Sequence, residues 1–105
     1  MKEVKSSVLS WIRALAKEID PTSDVILYGS RARGEEHPDS DWDILILVDS
    51  VADLDYERIF RHKLYDIELE VGEAFSVIVK NKTEWNSRFW MTPLYQNISR
   101  EGIRI

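Results

Sequence analysis

A chain of 105 residues, 44% apolar and with four tryptophans, has enough large side chains for one hydrophobic core; its net charge of -5 argues against holding nucleic acid through counterion release. Cysteine is absent, so disulfides are excluded and any metal falls to oxygen or imidazole ligands, which favours hard divalent cations. No run approaches the ~18 apolar residues of a membrane span. The N-terminal MKEVKSSVLSW also lacks a signal peptide's apolar stretch, so the expectation is a single cytoplasmic domain over 1–105 with no membrane partner and no direct nucleic-acid binding.

Val4, Val8, Leu9, Ile12, Leu15, Ala16 and Ile19 recur at three- and four-residue steps, which predicts an amphipathic helix ended by Pro21. Asp24 to Tyr28 reads as a short buried strand cut off by Gly29, with Ser30 as the cap of a following helical turn. Residues 31–40 are polar and broken by Gly34 and Pro38. Asp41 to Val48 then starts polar and continues as the unbroken run Ile44-Leu45-Ile46-Leu47-Val48, the pattern of a central strand covered on both faces. A helix is predicted from Asp53 to about Leu69, with Gly72 as its stop, then a strand over Ala74 to Val79. Lys82 to Gly102 reads as one or two short helices interrupted near Thr92-Pro93. This order predicts an α/β (α+β) fold, a small mixed sheet with helices packed against it.

Side chains two apart on a strand share a face, so the Asp41 and Asp43 carboxylates converge on one point, with Cα atoms ~6–7 Å apart. Two anions at the start of a buried strand are stabilised by a cation, and Mg2+ (or Mn2+) accepts one or two carboxylates and completes its shell with water and phosphates. Gly29-Ser30 closes the preceding strand, so its backbone N–H groups can face a phosphate, with Arg31 or Arg33 adding positive charge from the same turn. Asp39 to Asp43 also mimics the opening of a calcium loop, but Ile44 and Ser50 stand where glycine and glutamate are needed. No Walker-type lysine follows a glycine. His37 and His62 read as surface residues, Trp42 as a core or interface residue facing away from the aspartates, and Trp85, Phe89 and Trp90 as packing in the tail.

The stretch from Leu27 through Gly29-Ser30-Arg31 to Gly34, followed by Pro38 to Leu45 with Asp41 and Asp43, resembles the signature of minimal nucleotidyltransferases of the DNA polymerase beta superfamily. Ser99-Arg100-Glu101-Gly102-Ile103 resembles that family's C-terminal end. The resemblance implies that Gly29 and Ser30 hold a nucleoside triphosphate, with ATP expected, and that Asp41 and Asp43 hold the catalytic metal. It further implies transfer of a nucleoside monophosphate to a hydroxyl on a partner, a HEPN-type protein in toxin–antitoxin pairs. Active relatives usually carry a third acidic residue on the next strand, and aligning Phe75 to Ile78 puts Ser76 at that position. Glu68, Glu70 and Glu73 are the nearby substitutes. The alternative expectation is a nucleotidyltransferase-fold binding module, weak or inactive, acting as a regulatory or antitoxin subunit. Transfer to a small molecule such as an aminoglycoside is disfavoured by the short C-terminal region.

Overall fold

In a computed structural model, residues 2–105 are described, with side chains from residue 7 onward, so the predicted contribution of Val4 lies outside the described side chains. The order is α1 (Lys2–Ile19), β1 (Asp24–Tyr28), α2 (Ser30–Arg33), β2 (Trp42–Val48), α3 (Leu54–Val71), β3 (Phe75–Asn81), α4 (Lys82–Arg88), α5 (Pro93–Glu101) and β4 (Ile103–Arg104). The strands form one mixed sheet ordered β3-β2-β1-β4. β1 runs antiparallel to β2 and β4, whereas β2 and β3 are parallel and joined through α3. The predicted fold class holds.

β2 is central, and alternation along it supplies both layers of the core. Trp42, Ile44, Ile46 and Val48 face α1 and α3, meeting Val8, Ile12 and Ala16 on one helix and Phe60, Leu64 and Ile67 on the other. Leu45 and Leu47 point the other way, into a smaller cluster closed by Trp85 of α4 and Ile98 of α5. Phe89 and Tyr95 pack onto that cluster as well, while Trp90 stays exposed. The three-residue periodicity of α1 therefore answers one face of the same strand whose other face the short C-terminal helices cover.

Three features depart from the sequence reading. Asp41 precedes β2 instead of opening it. Ser30 is the first residue of α2 and caps nothing; Gly29 occupies the cap position without a side-chain hydrogen bond, and α2 is a single turn, so its dipole is small. β4 was not anticipated, because two residues are too few to show alternation; it pairs Ile103 with Leu27 and Arg104 with Ile26.

β3 is an edge strand, and α3 covers its exposed backbone groups. Glu68 accepts the Phe75 N–H at 2.8 Å, Arg61 donates to the Val77 carbonyl at 3.3 Å, and Glu57 accepts the Val79 N–H at 3.1 Å. Among the described residues no helix is long and apolar enough to cross a membrane.

Asp20, at the end of α1, ties the opposite end of the sheet together. Its carboxylate accepts from Thr22 N–H and Oγ1, from Ser50 Oγ and from the Tyr56 hydroxyl, at 2.9, 2.7, 2.9 and 2.5 Å. Burial alone pushes this carboxyl up, but the hydrogen bonds from Tyr56, Thr22 and Ser50 outweigh it and bring it down to about 2. A depressed carboxylate stabilises the fold above its unfolded value and loses that contribution as pH falls through the folded value. Asp20→Asn is accordingly expected to cost about 2 kcal/mol near neutral pH. In urea melts, the gap from the parent protein should stay constant down to about pH 4 and close towards pH 2.

Candidate active site

The antiparallel register of β1 and β2 sets Tyr28 opposite Asp43, and the parallel register of β2 and β3 sets Ser76 on its other side. Gly29 follows Tyr28 directly and turns with φ 77° and ψ −161°, a conformation that is essentially glycine's alone. A Cβ on Gly29 would lie 2.1 Å from Asp43 Oδ2. Glycine is thus required twice over, for its backbone angles and for the closeness of the carboxylate.

Asp43 is half-buried, and Asp41 is exposed on the loop just before it. Burial raises the Asp43 carboxyl above its ordinary value, and the negative charge of Asp41 raises it further; Arg33 works against both, and Glu101 adds to the rise. Two carboxylates crowded in this way favour a cation. Among the described residues no three His, Cys, Asp or Glu side chains come together as a metal cage. The donor set present is two carboxylates, one of them packed against the Gly29 turn, and such oxygen donors fit Mg2+ or Mn2+ completed by water and phosphate oxygens.

The two arginines of the turn diverge. Arg31 is buried: its Nε and Nη2 donate to the Ser40 carbonyl at 3.2 and 2.9 Å, Nη2 reaches Glu73 at 2.8 Å, and the guanidinium lies 4.3 Å from the Trp42 ring centre. Trp42 Nε1 donates to the same Glu73 at 3.1 Å. Arg31 thus holds the end of the 34–41 loop where it enters β2. Glu73 is committed to this contact. Arg33 is exposed and paired with Glu35 at 2.6 Å and Glu101 at 3.0 Å, and its charge is felt at Asp43.

Glu101 is the residue that sequence reasoning did not single out. Its Oε2 accepts the Gly29 N–H at 2.6 Å and the Arg33 Nη1–H at 3.0 Å. The available signal was its place in the C-terminal stretch that resembled the family's end. Tyr28 is pushed up to about 12 by burial and by the charges of Asp43 and Glu101, so it stays protonated at neutral pH.

On the β3 side a cavity of ≈ 470 Å³ is lined by Asp41, Arg61, Tyr65, Glu68, Phe75 and Ser76, among others. Of the three glutamates weighed as substitutes, Glu68 faces this cavity with Asp41 and Ser76. His37 and His62 are exposed, Lys82 pairs with Asp24 and Asp49, and Lys80 sits over the Phe89 ring.

A mixed sheet with an aspartate pair set against a glycine turn defines a nucleotidyltransferase-type domain, and the family comparison agrees. The nucleotidyltransferase domain model matches residues 9–104, and the chain belongs to that family. Among solved structures it is similar to a toxin–antitoxin crystallised with AMP-PNP, at 20% identity and a TM-score of 0.66, covering 89% of this chain and 68% of that one. A mutant toxin–antitoxin MntA-HpeT structure gives 18% identity and a TM-score of 0.67 over 90% and 69% of the two chains. A presumed nucleotidyltransferase of similar size gives 21% and 0.61 over 92% and 96%. At these identities the likeness is one of fold. A search by sequence among curated proteins gives no match.

Gly29→Ala tests the contact between turn and carboxylate. The positive φ alone is expected to cost about 1–3 kcal/mol. The added methyl must also displace Asp43, so the variant should melt lower and bind Mn2+ more weakly by titration calorimetry, whereas Gly34→Ala, with open space at its Cβ, should lower the melting temperature and spare the metal.

Proposed function

We propose that this chain transfers a nucleoside monophosphate from a nucleoside triphosphate, ATP in the first instance, to a hydroxyl on a partner protein of the HEPN type, as the antitoxin half of a cytoplasmic pair. The observation that carries the reading is the Asp43 carboxylate pressed against the Gly29 peptide with Asp41 beside it, an acidic pair facing a turn that only glycine can make. The toxin–antitoxin neighbours support a protein partner, and the one crystallised with AMP-PNP supports an adenine nucleotide.

In this reading Asp41 and Asp43 hold Mg2+ or Mn2+, and the bound cation supplies charge neutralisation for the phosphate oxygens. Gly29 brings the backbone close to the triphosphate. The Ser30 hydroxyl is not spent on capping α2 and can donate to a phosphate oxygen, while Arg33 adds charge from the exposed side. Arg31 acts indirectly, by fixing Ser40 and so the approach of Asp41.

In-line displacement places the attacking hydroxyl opposite the departing pyrophosphate. With the triphosphate on the β1 side of Asp43, the acceptor enters on the β3 side, where the cavity beside Asp41 and Ser76 lies. The acceptor oxygen bonds to the α-phosphorus, the bond to the bridging oxygen breaks, and the acceptor proton needs a base. Ser76 carries no charge for this. Glu68, which lines the cavity, is the carboxylate we assign to it.

A second reading, a domain that binds nucleotide and partner without turnover, is motivated by Ser76 standing beside Asp43. α-Labelled ATP, Mg2+ and the product of the adjacent gene separate the two. Label on that partner, lost with Asp41→Ala plus Asp43→Ala, supports transfer; no label with nucleotide still bound by the intact protein supports the module. If Glu68 is the base, Glu68→Gln should lower the labelling rate by about 10²-fold or more without changing nucleotide affinity. An unchanged rate removes Glu68 from the mechanism.

A further inference from the structure

Glu101 lies 72 residues from Gly29 in sequence, yet its Oε2 takes both the Gly29 N–H at 2.6 Å and Arg33 Nη1 at 3.0 Å. Its side chain is one-fifth exposed. The backbone that carries it is held from both ends. Ile98, one turn earlier, is buried against the sheet, and the Gly102 N–H returns to the Ile98 carbonyl at 2.7 Å. A Cβ on Gly102 would meet that carbonyl at 2.5 Å and Ile26 Cγ2 at 2.9 Å, so the end of α5 is pressed onto β1. Ile103 then pairs with Leu27, two residues before the Gly29 turn. The carboxylate is thus delivered to Gly29 by a rigid frame built on β1 itself.

A peptide at φ 77° has few intrinsic reasons to stay put, since glycine is the residue with most backbone freedom to lose. A carboxylate accepting its N–H removes that freedom, and one oxygen shared with Arg33 fixes the guanidinium relative to the same peptide. We propose that Glu101 is a positioning residue of the nucleotide site, clamping the Gly29 peptide and Arg33 together in the arrangement that receives the triphosphate. This rests on the reading that the nucleotide binds at that turn. Glu101 touches neither substrate nor metal in this role.

The opposite possibility has clear physics: a fixed anion beside the turn can act as a stand-in for phosphate and compete with it. The two differ in sign. Amide hydrogen exchange at Gly29 and the Kd for a fluorescent ATP analogue with Mg2+ should be measured for the parent, Glu101→Gln and Glu101→Ala. Glutamine keeps an acceptor for the Gly29 N–H, and alanine removes it. For a clamp, alanine should speed Gly29 exchange and weaken the analogue by about tenfold or more, and glutamine should restore most of both. Rescue by glutamine separates positioning from a general loss of stability, which a melting curve reports for each variant. If Glu101→Ala does not fold, Glu101→Asp replaces it, because the shorter side chain should fail to reach Gly29 and speed its exchange. Unchanged exchange and affinity overturn the clamp while leaving the nucleotide reading intact. Tighter binding by Glu101→Ala or Glu101→Gln overturns it in favour of the phosphate stand-in. A parent protein that does not bind the analogue overturns both the clamp and the nucleotide reading.

Discussion

The closeness of the Asp43 carboxylate to the Gly29 peptide is the constraint around which the site is organised. It arises because β1 and β2 are antiparallel neighbours in a register that sets Tyr28 against Asp43, so the turn after one strand lies over the start of the other. A slip of one residue in that register would turn Asp43 into the core and bring Trp42 out. The register is protected by burial: Ile44, Ile46 and Val48 are completely enclosed against α1 and α3, and Leu45 against α4 and α5. Any shift would exchange these faces against walls shaped for the other set. The core of the domain therefore specifies the position of a carboxylate that takes little part in the core.

Around that contact the chain spends charge in unusual ways. The buried Arg31 and Trp42 side chains form a cluster with the partly exposed Glu73, whose members satisfy one another and the Ser40 carbonyl. Burying a guanidinium is tolerable only with such partners, and the result is a fixed end to an otherwise exposed loop. On the far side Glu101 brings a third negative charge towards Asp41 and Asp43, with Arg33 as the nearby counter-charge. Concentrating acidic groups so that Asp41 and Glu101 raise the proton affinity of Asp43 does not stabilise a fold. Arrangements of this kind cluster at functional sites, and this one stands at the Gly29 turn.

The edge of the sheet follows a similar economy. β3 exposes one row of backbone groups, and α3 answers with Glu57, Arg61 and Glu68 in place of another strand. Arg61 and Glu68 also line the cavity next to Asp41. A single helix face thereby closes the edge to unwanted strand pairing and shapes the approach to the acidic pair.

Much of this was legible in the residues alone. The stripe of α1, the unbroken apolar run of β2, the stop at Gly72 and the break at Thr92-Pro93 are local patterns, and local patterns follow from backbone sterics and periodicity. Gly29, Asp41 and Asp43 could be picked out because each residue type is unfavourable at its place without a ligand or a special turn. The roles of Arg31 and Arg33 could not be separated, since two arginines on one helical turn look alike until a tertiary contact chooses between them. β4 and the contacts of Glu101 could not be read for a related reason. A two-residue strand has no period, and a glutamate at the end of a helix has no pattern that reports which peptide, 72 residues away, it will meet. Residue type and spacing determined which groups are available; chain reversal and close packing decided which of them share a point in space, because those distances are set by the sum of all the elements and by none of them singly.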